Sequence, residues 1–217
     1  MLVEKLSMEK RIDFLKTLHV ILMFDRLVLW EGKTEDEIDS DTDMSKVNFA
    51  EDTVKDTVYN KLFHLCKYRV YAHSNELIDH GGVFLSDVKN DNLHRFLIEN
   101  VCKLPIFKQN KISNRMDIAK KFIAEYKDAS DDGCDFFVNM YADDNNLNLD
   151  GPETYKIFLC QLIKACVKAE CLTQERLEIL KYICEIKSID LVYFDEILEH
   201  VMLAQKAKQK LVDIILE

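Results

Sequence analysis

The chain has 217 residues, of which only five are glycine and two are proline. That share is roughly a quarter of the combined frequency of about 12% that is usual in soluble proteins. Sheets rich in hairpins need turn glycines every few residues, whereas helices run through long segments without them. The scarcity of both residues therefore predicts an all-α fold, and we expect a single multi-helix bundle of about seven to nine helices.

Length and apolar content limit the domain organisation. Hydrophobic residues make up 48% of the chain, which is ample for a buried core. A chain of this length forms one large domain or two small ones. We expect one helical domain over 1–217, with 1–127 and 128–217 as the alternative division into an N-terminal and a C-terminal helical part.

The sequence shows neither a membrane anchor nor a secretory signal. The apolar run from Leu18 to Trp30 is broken by Asp25 and Arg26, and crossing a bilayer takes roughly 20 apolar residues. No small-residue cleavage site follows the N-terminal apolar stretch, as a secretory signal would require. We therefore expect a cytoplasmic protein without a transmembrane segment.

The seven cysteines are spread singly and lie mostly among apolar residues, as Cys160 and Cys184 do. Such positions suit small, reduced core residues in a reducing compartment. The chain contains no C-x-x-C, the paired spacing that a structural zinc site uses.

Apolar residues recur every three to four positions along most of the chain, which is the period of a buried helix face. The first helix is predicted from Val3 to Trp30, with its second half buried on nearly every side, and an acidic linker, Glu31 to Asp43, follows it. Pro152 suits the first position of a later helix. Three other helices are preceded by side chains suited to N-capping, namely Ser130, Thr173 and Asp190.

The formal net charge is −10, and acidic residues cluster in two segments, 31–56 and 128–153. Binding to duplex nucleic acid depends heavily on neutralising phosphates with basic side chains. The acidic balance therefore argues against general nucleic-acid binding and leaves a protein as the expected partner.

The first acidic segment carries Asp39, Asp41 and Asp43 at the spacing of the first ligands in a calcium loop. The rest of that motif is missing, because Met44 occupies the glycine position and Ala50 the position of the closing glutamate. The pattern therefore favours a solvated acidic linker, and we expect these three aspartates to contact a protein partner.

The second acidic loop is richer in oxygen donors, which hard cations prefer as ligands. The twelfth position of the calcium motif is Ile157, so the closing carboxylate is absent, and Asn and Asp also favour loops for conformational reasons. A divalent cation is the candidate ligand here, and its candidate ligating residues are Asp143, Asp144, Asn146, Asn148, Asp150 and Glu175.

Signs of catalysis are few. The chain lacks G-x-S-x-G, G-x-G-x-x-G and the P-loop pattern. His64 and Cys66 are two apart on a predicted helix and point about 200° apart, which argues against a shared metal. An enzyme site built from His73, Asp79 and His80 is the lowest-ranked hypothesis.

Four stretches of the C-terminal third follow the order helix, short acidic turn, helix, short turn, helix: Asp135-Phe136-Phe137, Gly151-Pro152-Glu153-Thr154-Tyr155-Lys156, Ala169-Glu170-Cys171-Leu172-Thr173-Gln174-Glu175-Arg176, and Ile189-Asp190 with Phe194. This part of the chain resembles the TerB-like (tellurite-resistance TerB) helical family. The resemblance implies a non-catalytic scaffold or sensor in stress response or defence, acting near membranes or other proteins. The family links acidic residues at the second turn to divalent metals. Here Glu175 is kept, while Glu170-Cys171 stands in place of Asp-Gly.

Besides the enzyme, three functional hypotheses follow from the sequence. The leading one is a non-catalytic helical module that binds a protein partner through an acidic loop or an apolar groove. The second is a divalent-cation sensor that uses the acidic loops. The third is a viral or phage protein that binds a host protein, since richness in Lys, Asn, Asp and Ile fits an AT-rich genome.

The cation-sensor hypothesis predicts that calcium, magnesium, manganese or zinc raises the melting temperature of metal-stripped protein, because a ligand that binds the folded state stabilises it by mass action. A thermal melt at millimolar metal measures the shift. Replacing Asp144 and Asp150 by Asn should abolish it, and a melting temperature that no metal changes would contradict the hypothesis.

Overall fold

A computed structural model describes residues 6, 8–72, 92–125 and 152–216. Within these ranges 73% of the residues are helical and 5% lie in strands, which confirms the predicted mainly helical class. The described residues form eight α-helices, within the expected number, and a small two-stranded sheet that was not expected. Their bounds are α1 Met8–Met23, β1 Val28–Trp30, β2 Val47–Phe49, α2 Thr53–Ala72, α3 Asn92–Cys102, α4 Ile106–Gln109, α5 Ile112–Glu125, α6 Pro152–Lys168, α7 Gln174–Ile186 and α8 Leu191–Leu216.

The chain divides into two compact units. The first unit is Met8–Asp144, and the second consists of Asn145–Glu217 together with the N-terminal segment Met1–Ser7. In the first unit α1 packs against α2, α3 and α5, and α3 also packs against β2. The second half of α1 is buried on nearly every side, as predicted, because almost every residue from Leu18 to Met23 is apolar and inaccessible to solvent. This half of α1 forms the centre of the first unit.

The predicted extent of the first helix, Val3 to Trp30, is wrong at its C-terminal end. The helix ends at Met23, and the last residues of the run form β1, which pairs antiparallel with β2 in the register Val28↔Phe49 and Trp30↔Val47. The side chain of Asn110 accepts a hydrogen bond from the Val28 backbone N–H at 2.8 Å. A short apolar run is compatible with either structure, and here these pairing partners favour the strand.

The segment interpreted as an acidic linker is an ordered hairpin loop, which we define as residues 31–46. Glu31 and Gly32 both have positive φ, 50° and 80°, as the central residues of a type I′ turn require. Trp30 and Lys33 on either side exchange two backbone hydrogen bonds of 2.9 Å. A 3-10 turn, Glu35–Glu37, follows behind a Thr34–Glu37 capping box, so local hydrogen bonds give this loop a defined path.

In the second unit α6, α7 and α8 pack against one another. Pro152 is the first residue of α6, Thr173 Oγ1 accepts from the Arg176 N–H at 3.4 Å, and Asp190 Oδ1 accepts from the Val192 N–H at 3.0 Å, which confirms three predicted helix starts. The Ser130 cap lies outside the described residues. The apolar spacing of α6 predicts a stripe of six residues, of which Tyr155 is only half-buried. The other five are fully buried: Phe158, Leu159, Leu162, Ile163 and Cys166.

Helices α6 and α7 end in the same way without glycine. After α6 the Cys171 N–H donates to the Cys166 carbonyl at 3.0 Å, and after α7 the Ile189 N–H donates to the Cys184 carbonyl at 2.8 Å. These are the bonds of a Schellman motif, which places one residue in the left-handed region, most often glycine. Here Glu170 and Ser188 occupy that position, with φ of 52° and 53°.

Four of the six described cysteines, Cys66, Cys166, Cys171 and Cys184, are buried, as predicted, whereas Cys102 is exposed. Burial raises the pKa of the Cys66 and Cys184 thiols to about 12, so both are protonated and unreactive at neutral pH. Among the described helices, none is long and apolar enough to span a membrane.

Replacing Thr173 by Ala should lower the free energy of unfolding by about 1 kcal/mol, because an N–H at the start of α7 loses its side-chain acceptor. Urea unfolding measures the difference. Thr173→Ser keeps the hydroxyl and serves as the matched control, so an equal loss in both variants would contradict the capping role.

Candidate functional site

The last four turns of α8 carry an apolar surface that the described part of the chain leaves open. In the first half of this helix Phe194 and Val201 are 1% and 7% exposed, and α8 packs there against α6 and α7. From Leu203 to Leu216 every residue is exposed. Helix α8 has 26 residues and α6 only 17, so at 1.5 Å per residue α8 is the longer by roughly 14 Å.

Val212 and Leu216 lie on another side of the helix, whereas the other six exposed apolar residues of this segment share one side. At 100° per residue these six fall within an arc of about 120°. The larger ones are strongly exposed: Leu203 by 52%, Leu211 by 58%, Ile214 by 60% and Ile215 by 71%. Contiguous exposed patches of this kind mark interaction sites in soluble proteins. We name this arc the α8 apolar face, and its members are Leu203, Ala204, Ala207, Leu211, Ile214 and Ile215.

Lysines border the α8 apolar face. On the helical projection Lys208 lies next to Ile215 at one edge, and Lys210 lies next to Leu203 at the other. Neither of them, nor the neighbouring Lys206, forms an ion pair with any other described residue. The nearby carboxylate of Asp213 accepts a hydrogen bond from the Gln209 side chain at 2.8 Å, away from the face.

The three aspartates predicted to contact a partner bind their own loop. Asp39 accepts from Lys33 Nζ at 2.9 Å and from Thr42 Oγ1 at 2.7 Å. The Asp43 carboxylate accepts from the backbone N–H and the hydroxyl of Ser45, and Asp41 accepts from the Ser40 hydroxyl. Among the described residues, no three His, Cys, Asp or Glu side chains form a group able to hold a metal ion. The loop carboxylates therefore fix the hairpin loop, and a calcium site there has no support.

Hydrogen bonding stabilises the charged form of these carboxylates. The Lys33 ammonium and the Thr42 hydroxyl lower the pKa of Asp39 to about 2. The Ser45 side chain and backbone lower the pKa of Asp43, and the Asp43 N–H, with Lys46, lowers the pKa of Glu31. The loop thus keeps its ion pairs, Lys33–Asp39 and Lys46–Glu31, throughout the neutral range.

The other sequence-based candidates are mostly not described. Asp143, Asp144, Asn146, Asn148 and Asp150 lie outside the described residues, as do His73, Asp79 and His80. Glu175 is half-buried in the first turn of α7. His64 is exposed and Cys66 is buried, so the helix separates them as predicted.

A cluster of buried cations in the first unit was missed by the sequence analysis. Lys55 Nζ lies 3.2 Å from Asp25 and 2.9 Å from Asp52, and Arg26 pairs with Asp56. These contacts join the turn after α1 to the first turn of α2. Long basic side chains normally indicate an exposed surface, so the sequence carries no signal that these cations are buried.

Arg115 in the first turn of α5 is buried close to this cluster. Its side chain is 3% exposed, and desolvation lowers the pKa of its guanidinium to about 10. The guanidinium carbon lies 5.4 Å from the centre of the Phe49 ring, a cation–π contact that attaches α5 to β2. Its Nε and Nη2 atoms make no hydrogen bond to any described residue.

Comparison of the chain with protein-family models, curated proteins and solved structures gave no match. The TerB-like resemblance therefore stays a prediction. The α8 apolar face and the lysines that border it are exposed to solvent.

The lowered carboxylate pKa values predict how the hairpin loop responds to acid. A carboxylate whose pKa is lower in the folded state stabilises that state above its unfolded pKa, and the contribution disappears as the pH falls through the folded value. For Asp39 this contribution to stability is lost as the pH falls from about 4, near the unfolded pKa, to about 2, the folded pKa. The difference in melting temperature between the wild type and Asp39→Asn should therefore be constant above about pH 5 and shrink below pH 4. A difference that does not change with pH would contradict the Lys33–Asp39 pairing.

Proposed function

We propose that this protein is a non-catalytic interaction module that binds a protein partner through the α8 apolar face. The observation that supports this proposal is the exposure of four large aliphatic side chains on one arc of a helix that packs against α6 and α7 and has Phe194 and Val201 buried. Water-exposed Leu and Ile side chains gain free energy when a partner covers them. The cytoplasm suits such a module, because the described cysteines are free thiols.

The energetic scale of this face fits reversible binding. Burying one Leu or Ile side chain contributes about 1.5–3 kcal/mol, so four contribute roughly 6–12 kcal/mol. Association costs roughly 4–15 kcal/mol in lost freedom. The two ranges overlap, so apolar burial alone gives weak binding, and polar contacts at the edges of the face must add affinity and select the partner.

The interaction role of the acidic hairpin loop has less support than that of α8. The charges of Asp39 and Glu31 are paired with Lys33 and Lys46, and a partner would have to compete with these contacts. The TerB-like resemblance would set the module in stress response or defence. A viral or phage origin would make the partner a host protein.

A photo-crosslinking amino acid, p-benzoylphenylalanine, placed at Leu211 should form a covalent adduct with one defined protein in cells. Gln209 is also exposed but lies about 160° away around the helix, so the same group at Gln209 is the matched control. Adducts are measured by mass shift on a denaturing gel and identified by mass spectrometry. Equal adducts at both positions, or none at Leu211, would contradict the proposal.

A further inference from the structure

We propose that the partner contributes an acidic amphipathic helix, with an apolar stripe flanked by Asp or Glu, that lies along the α8 apolar face. This inference rests on the proposed function and names the chemistry of the partner at the same site. It is carried by two features of α8: the shape of its apolar arc and the lysines at both edges of that arc.

The shape of the face suits a helix. From Leu203 to Ile215 the face spans 13 residues, which corresponds to roughly 20 Å or between three and four turns. An amphipathic helix presents an apolar stripe about 100° wide, close to the width of the α8 arc. Because the backbone N–H and C=O groups inside a helix are already bonded, α8 offers no edge to which a β-strand could add. Two helices packed side chain to side chain are the complementary arrangement.

The charge of this segment is opposite to that of the whole chain. Leu203 to Leu216 contains Lys206, Lys208, Lys210 and Asp213, a local balance of +2 within a chain of net charge −10. Lys208 and Lys210 occupy the positions that border a helix–helix interface, where opposite charges on a partner select it. Acidic residues at the flanking positions of the partner helix would meet one lysine on each side.

A second copy of the chain fits this face poorly. In an antiparallel pair of α8 helices each edge meets the same edge of the other copy, so Lys208 would face Lys208 and Lys210 would face Lys210. In a parallel pair the Lys208 edge would meet the Lys210 edge. Both arrangements bring like charges together, which is unfavourable.

An anionic lipid surface also fits less well than a protein. The net charge of −10 opposes approach of the chain to an anionic membrane. The α8 apolar face has no Trp, Tyr or Phe, the side chains that commonly anchor helices at the membrane interface. The acidic helix of a protein is therefore the occupant that the charges favour.

Two synthetic 21-residue helical peptides test the inference with the full chain. Both carry Leu at heptad positions a and d; one has Glu and the other has Lys at positions e and g. Fluorescence anisotropy should show the Glu peptide binding about tenfold more tightly than the Lys peptide, and added salt should reduce the difference. Lys208→Glu combined with Lys210→Glu should reverse the preference.

Two further variants test whether the peptide preference depends on the position of the lysines and whether binding depends on the apolar side chains of α8. Lys61→Glu with Lys111→Glu changes the net charge equally at exposed positions of the first unit and should leave the preference unchanged. Leu211→Ser with Ile215→Ser should abolish binding of both peptides while the melting temperature stays the same, because neither side chain is packed.

The possible outcomes distinguish this inference from the proposed function. Equal binding of both peptides that is lost in Leu211→Ser with Ile215→Ser would overturn the acidic helix and keep the α8 face as the docking site. No peptide binding, together with no adduct at Leu211, would overturn both. Dimerisation by sedimentation that Leu211→Ser with Ile215→Ser removes would make a second copy the occupant. Binding to vesicles of phosphatidylcholine and phosphatidylserine that the same variant removes would identify a lipid surface as the occupant of the α8 apolar face. Dimerisation or vesicle binding of this kind would contradict the proposal of an acidic partner helix.

Discussion

Two sets of ion pairs between α1 and α2 determine the path of the first unit. Lys55 pairs with Asp25, and Arg26 pairs with Asp56, so the turn that ends α1 is attached to the first turn of α2. Both cations are largely buried, while their partners Asp25 and Asp56 are 21% and 44% exposed, so each pair is partly shielded from solvent. Because these pairs hold residues 25–26 next to residues 55–56, the two ends of segment 27–52 lie close together. A β-hairpin connects two ends that are close in space, and here it positions Phe49 against the guanidinium of Arg115.

The parts of the fold that the sequence predicted are those with local causes. The starts of α6, α7 and α8 depend on Pro152, Thr173 and Asp190, whose effect is confined to the first turn of each helix. The strand β1 could not be predicted in this way. Its apolar residues suit a helix or a strand equally, and its pairing partners lie some 20 residues away at β2 and about 80 residues away at Asn110. Distant contacts decided the structure of this segment.

The candidate site was harder to predict than the fold for a related reason. Apolar spacing alone does not distinguish a buried helix face from an exposed one: Phe194 and Val201 in the first half of α8 are buried, whereas every residue from Leu203 to Leu216 is exposed. The acidic loop shows a second limit of reading charge alone. Asp39 and Asp41 are exposed, but the carboxylates of the loop also accept hydrogen bonds from Lys33, Thr42, Ser40 and Ser45, all nearby in sequence. The contact of these aspartates with a partner stays a prediction.

The residues with left-handed backbone conformation after α6 and α7 are positions where glycine would make the folded chain more stable. A side chain other than glycine in that conformation costs roughly 1–2 kcal/mol per residue, and Glu170 and Ser188 both adopt it. Natural proteins are rarely at their stability optimum, and changes at such turns are an accessible way to increase it. The low glycine content is therefore not a requirement of this fold. Glycine at either turn would therefore offset the loss of stability from a destabilising substitution elsewhere in the chain.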